Sequence, residues 1–255
     1  MVNMKRTFLV TAAVIALASA LAAAAASAQI VELGATATPV VAPSCPAGAS
    51  VRNCFIVLTR TTALQTLSDS VVLPTKAKKA GWIVAFTVGL SKLSTNAKTE
   101  KSLIHGLDQL YAGTPQVALT VLKPGPKNKY TVAAESPIFH VEPYLGSVSQ
   151  LPLSLPPTFS AFAPLPVAAG DVIDLTVPTW APILTYNLTA SKFAYRQSRS
   201  TGCKTAAASQ TAQLTVGVST TYGCSPYTGT RVEYSATEVT NQPYPKSYVH
   251  GPRKP

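Results

Sequence analysis

The sequence predicts an all-β protein, an antiparallel β-sandwich with one short helix and long proline-rich loops. Three observations carry that expectation. Apolar and polar residues alternate with period two through several short runs, as they do when one strand face packs on a core and the other meets water. Turn-forming glycine, proline, asparagine and aspartate separate these runs at about eight to twelve residues, the spacing of hairpin-connected strands. Only residues 99–111 break the alternation with helical spacing.

The clearest pattern runs from Pro164 to Ala190. Gly170-Asp171 supplies a turn, after which Ile173, Leu175 and Val177 share one face and Asp174 and Thr176 the other. Pro178-Thr179-Trp180-Ala181-Pro182 reads as a proline-flanked loop. Leu184, Tyr186 and Leu188 then resume the pattern against Thr185, Asn187 and Thr189. The expected element is a central half-buried hairpin with Trp180 in its connection and Thr176 facing water.

At the N-terminus, Lys5 and Arg6 precede an apolar run from Phe8 to Ala25, and Ala26-Ser27-Ala28 forms a small-residue cleavage site. Together they read as a secretory signal peptide over residues 1–28. An uncleaved anchor competes, since about 20 apolar residues can span a bilayer, but alanine is a weak membrane former. The protein is expected outside the cytoplasm, secreted or at the cell surface. Residues 29–44 read as an extended leader, 45–239 as a single sandwich domain and 240–255 as a disordered, basic, proline-rich tail.

Within the domain, strands are expected at 54–60, 68–73, 82–88, 116–122, 130–135, 138–141, 192–197, 213–218 and 231–239, with 82–88 buried on both faces. Residues 123–128 join two of them as a hairpin loop. Prolines at 143, 152, 156, 157, 164 and 166 place that segment at a sheet edge or in loops, because proline removes a ladder donor. In 99–111, Leu103, Ile104, Leu107, Leu110 and Tyr111 line one helical face and Gly113 follows the end. Gly106 weakens this helix by up to about 1 kcal/mol relative to alanine. It is expected to cover a sandwich edge, with His105 as a surface or packing residue.

Four cysteines in an exported chain suggest two disulfides. Cys45–Cys54 and Cys203–Cys224 are the favoured pairs, each bracketing a loop of small residues. A metal site lacks both C-x-x-C spacing and nearby histidines. Lys and Arg number 21 against 10 Asp and Glu, a net charge of +11. The positive charges are segregated into Lys76, Lys78 and Lys79, then Lys123, Lys127 and Lys129, then Lys192, Arg196, Arg199 and Lys204, with none between 130 and 191. Such a balance favours anionic partners such as cell-wall polymers, phospholipid head groups or acidic polysaccharide. Solvated loop lysines are the plainer reading. Nucleic acid finds no supporting motif.

No nucleophile elbow, zinc-protease helix, calcium loop or phosphate loop is present, and no motif implies a cofactor. Of the three histidines, His140 sits between Phe139 and Val141 and reads as a packed strand residue. Glycoside hydrolysis needs two converging carboxyls. Asp171 and Asp174 are expected on opposite faces, and Glu135 with Glu142, or Glu233 with Glu238, would have to converge by folding. The aromatic residues point elsewhere. Trp180, Tyr222 and Tyr227 fall in expected loops near Gly or Pro, where exposed rings can stack on sugars. Closure over the core is their alternative role.

Val167-Ala168-Ala169-Gly170-Asp171-Val172-Ile173-Asp174-Leu175 resembles the V-x-A-G-D-x-I-x-L strand that recurs in jelly-roll sandwiches and in a group of exported bacterial β-sandwich proteins. The resemblance implies a jelly-roll-like topology and carries over no catalytic residue. Taken together, the expected function is a non-enzymatic binding or cell-envelope interaction module for glycans or other anionic surface polymers. A structural envelope protein held by charge alone and a jelly-roll hydrolase are the alternatives.

Overall fold

A computed structural model describes residues 28–44, 56–153, 163–201, 203 and 210–240. The expected signal peptide up to Ser27, the Cys45–Cys54 pair, Lys204 and the C-terminal tail beyond Thr240 lie outside the described residues.

The described chain is antiparallel throughout. One five-stranded sheet has the order β1 (Gln29–Leu33), β16 (Tyr234–Thr240), β4 (Gly81–Gly89), β8 (Val148–Pro152), with β9 (Leu165–Val167) also paired to β4. A nine-stranded sheet has the order β13 (Ser219–Thr221), β6 (Lys129–Glu135), β5 (Gln116–Pro124), β10 (Val172–Pro182), β2 (Val57–Ser68), β12 (Ala194–Gln197), β14 (Tyr227–Thr228). In that sheet β3 (Val71–Val72) pairs β2 and β7 (Phe139–His140) pairs β5. A small pair joins β11 (Leu184–Thr185) to β15 (Arg231–Val232). Leu33, Phe86, Val88, Leu151 and Ala236 from the smaller sheet share one buried cluster with Leu58, Leu119, Val121, Ile173 and Leu175 from the larger. This is the sandwich core.

Of the proline-bearing segment, Pro152 in β8 and Pro166 in β9 fall in strands at the margin of the smaller sheet, where a missing donor is tolerated, while Pro156 and Pro157 lie outside the described residues. The leader is not a free approach to the domain, because β1 is itself a sheet strand. Beyond it, Asp69 accepts from Thr38 N (2.6 Å) and Thr38 Oγ1 (2.8 Å). Arg231 Nη1 donates to the Thr38 and Pro39 carbonyls, both at 2.8 Å.

Strand β10 departs most from the sequence reading. All 11 of its residues are buried, so Asp174 and Thr176 do not face water. Its neighbours are β2 and β5, whereas Leu184-Thr185 pair with β15, so the expected hairpin does not form. Pro178 is accommodated by a bulge. Val177 pairs with Thr61 and Trp180 with Thr59, leaving an extra residue on β10 between those pairs. A bulge leaves donors unpaired, which is where a central strand tolerates proline. Trp180 is therefore a strand residue, not a loop residue.

The outer face of the larger sheet carries a second buried cluster of Leu64, Leu122, Tyr130, Val132, Val172 and Tyr222. Residues 210–218, read in part as a strand, cross this face outside any strand. At their end, Gly217 N donates to the Val132 carbonyl of β6 (2.8 Å) and Val132 N to the Val218 carbonyl (3.0 Å). Helix α1 (Ala97–Tyr111) lies where the spacing predicts. Asn96 caps it by accepting from Thr99 N at 3.0 Å, and the Ala112 C-cap has φ 60°. No α1 residue is buried. Arg60 of β2 stands over the Tyr111 ring at 5.9 Å.

Candidate functional site

The three aromatic residues expected to bind a ligand are dispersed, and their placement corrects the expectation of an open platform. Trp180 is fully buried, its indole Nε1–H donating to Asp108 Oδ1 (3.0 Å) and the Gly113 carbonyl (3.1 Å). Tyr222 is fully buried against Tyr130, ring centroids 4.7 Å apart. Tyr227 is half-buried, stacked on Tyr195 at 5.0 Å, and its hydroxyl donates to the Cys203 carbonyl at 3.3 Å. Rings already covered by protein on their faces cannot stack on a sugar. Trp180 and Tyr222 are core residues.

Tyr222 and Gln213, both within the segment that the Cys203–Cys224 disulfide closes, belong to a polar network with the larger sheet. Gln213 N donates to Thr62 Oγ1 (2.8 Å), and Thr120 Oγ1 donates to the Gln213 carbonyl (3.2 Å). Thr176 Oγ1 lies 2.8 Å from Thr62 Oγ1 and 2.6 Å from Thr120 Oγ1. Each hydroxyl has one proton, so these contacts have one consistent polarity, Thr62 to Thr176 to Thr120. The result is a closed cycle that fastens the Gln213 backbone to three adjacent strands. It holds the Gln213 backbone to the sheet and satisfies the Thr176 hydroxyl on the side of β10 that the alternation alone assigns to water, while Asp174 Oδ1 on the same side is buried without a partner.

Asp174 is the most perturbed acid here. Burial pushes its carboxyl well above the ordinary range, and the Tyr222 hydroxyl, 3.4 Å from Oδ2, pulls the other way. Tyr222 also donates to Gln213 Oε1. A perturbed buried acid is a functional candidate on electrostatic grounds. Asp174 and Tyr222 are both 0% exposed, however, and a reacting group needs access to substrate. The cluster reads as structural.

Glu32 and Glu233 are also committed to the fold, whereas Glu135 Oε2 and Glu238 Oε1 are buried without a hydrogen-bond partner. Glu32 accepts from Ser235 Oγ and Thr237 Oγ1. Glu233 accepts from Val41 N and lies 3.7 Å from Arg231, both side chains buried. Burial pushes Glu135 and Glu238 upward. Glu233 and Glu238 thus serve separate environments. Of the histidines, His105 is exposed, and so is His140, 3.1 Å from Thr114 Oγ1, rather than packed. No group of three or more metal-ligating side chains occurs among the described residues.

The surface feature that folding creates is basic. Val172, at the start of β10, pairs with Leu122 of β5 on one side and bridges to Lys76 on the other. Lys123 follows Leu122 and pairs with Thr131 of β6, while Lys129 begins β6 and pairs with Thr221. On the far side, Ala194 pairs with Leu67 near the end of β2, and the Lys192 carbonyl accepts from Ser70 N (3.2 Å). Lys76, Lys78, Lys79, Lys123, Lys127, Lys129 and Lys192 therefore gather at one end of the larger sheet, all exposed. Two sequence clusters become one, and Lys192 parts from Arg196, whose Nη1 donates to the Tyr222 and Cys224 carbonyls. The acids at this end are engaged. Asp171 accepts from Ala168 N (2.9 Å), and hydrogen bonds from Thr38 and Thr36 outweigh burial to hold Asp69 below the ordinary carboxylate range.

No protein-family model, curated protein or solved structure matches the chain.

Proposed function

We propose that this protein is an extracytoplasmic, non-enzymatic binding module that holds an anionic envelope polymer or surface against the lysine-bearing end of its larger sheet. The observation that carries the reading is the convergence of distant lysines, from 76–79, 123–129 and 192, at one end whose carboxylates Asp69 and Asp171 accept internal hydrogen bonds. Clustered like charge repels itself, so an opposing anion gains from every lysine together, and binding releases counterions. Recognition of neutral glycans has less support, because Trp180 and Tyr222 are buried. A hydrolase has less support still, because the most perturbed acid is sealed.

The test is retention on immobilised polyphosphate across a salt series. The expected result is strong retention at low salt, a steep decline with added salt, and a shallower decline after Lys78, Lys123, Lys127 and Lys129 are changed to Gln. Lys98→Gln with Lys101→Gln, on α1 at the other end of β10, serves as the control and should change little. Equal retention of the four-lysine variant and the parent would refute the reading.

A further inference from the structure

We infer that the anionic partner is the head-group layer of an acidic lipid bilayer, entered by Val71 and Val72 at the tip of the β2–β3 hairpin. This rests on the proposed function and names its partner. Ser68 pairs with Val71 and Leu67 with Val72, so only Asp69 and Ser70 form the connection. Both have positive φ, 49° and 69°, as a tight two-residue hairpin turn requires. Val71 is 49% exposed and Val72 72% exposed. Val71 and Val72 are thus adjacent exposed aliphatics on a two-residue strand.

Their surroundings specify what covers them. Lys76, Lys78 and Lys79, each exposed, follow within seven residues of Val72, and the Lys192 backbone is bonded to Ser70 of the turn. The tip is also held in place. Asp69 is tied to Thr38 by two hydrogen bonds, and Leu73 N donates to the Thr66 carbonyl at 3.0 Å. A fixed aliphatic pair, with exposed Lys76, Lys78 and Lys79 following it in the chain and the Lys192 backbone bonded to its turn, complements a surface with phosphate charge outside and hydrocarbon just beneath. A soluble polyanion offers the charge without the hydrocarbon and would leave both valines in water.

The experiment compares phosphatidylglycerol vesicles, phosphatidylcholine vesicles and immobilised polyphosphate as probes of the disulfide-bonded protein. Val71→Ser with Val72→Ser should weaken binding to phosphatidylglycerol vesicles on the order of tenfold and leave polyphosphate retention unchanged. Ile138→Ser, exposed beside β7 at the opposite end of β5, should alter neither. Val72→Trp should show a blue-shifted emission on phosphatidylglycerol that is absent on phosphatidylcholine. Unchanged vesicle binding by the double variant, or no spectral shift, would overturn the lipid inference while polyphosphate retention still upheld the wider reading. Failure of the parent to bind either anionic probe would overturn both.

Discussion

The indole Nε1–H of Trp180 donates to Asp108 Oδ1 at 3.0 Å, joining a fully buried strand residue to a helix that buries none of its own side chains. Trp180 ties α1 to the larger sheet, together with Arg60 of β2 over the Tyr111 ring. The same indole also closes on the Gly113 carbonyl just past the helix end.

Replacing Trp180 by alanine should cost about 3–5 kcal/mol, the range for emptying a large aromatic site. Trp180→Phe keeps most of the apolar contact and removes only the donor, so its loss should be about 0.5–1.5 kcal/mol. Chemical denaturation of both variants provides the check. A loss below about 1 kcal/mol for the alanine variant would mean that Trp180 is not a core residue.

The hydroxyl cycle makes a second comparison informative. Leu175→Ala empties the inner face of β10 and should cost about 2–5 kcal/mol. Thr176→Ala removes the middle of the Thr62–Thr176–Thr120 relay and strands buried partners, so about 1–3 kcal/mol should be lost. An exposed threonine would give a change within about 0.5 kcal/mol. Denaturation midpoints showing Thr176→Ala to be neutral would contradict the cycle.

Asp174 gives stability a pH dependence of definite sign. Burial raises its folded-state pKa well above the ordinary value, so the native protein retains a proton that the unfolded chain releases near pH 4. Where the native state binds more protons, stability falls as pH rises. That loss begins near pH 4 and continues up to the native pKa. Asp174→Asn cannot ionise, so the variant should gain on the parent as pH rises from about 4 toward the native pKa. Urea midpoints at pH 4, 6 and 8 measure this, and parallel pH profiles for the two proteins would show that Asp174 does not titrate as its burial requires.

Much of the architecture was legible because its cause is local. Period-two alternation marks β4, β5 and β6 almost to their ends, since neighbouring side chains on a strand must point to opposite faces. The apolar spacing of 99–111 marks α1, and the small-residue loop between Cys203 and Cys224 marks a disulfide that forms. Pro178 misled for an equally local reason. Proline ordinarily ends a central strand, and only the offset between the β10 and β2 registers shows that a bulge absorbs it.

The sequence by itself therefore determined an antiparallel all-β chain with one helix and a basic surface. Tertiary structure alone decided which polar residues meet water and which charges meet one another. Alternation shows that Asp174 and Thr176 leave the core side of β10, but not that residues 210–222 cover the other side. Lys76, Lys123 and Lys192 are far apart in the chain, and their common end follows from strand pairing through Val172, Leu122 and Leu67. A strand's period is set by the sterics of adjacent residues, whereas its covering and its neighbours are set by contacts between distant ones.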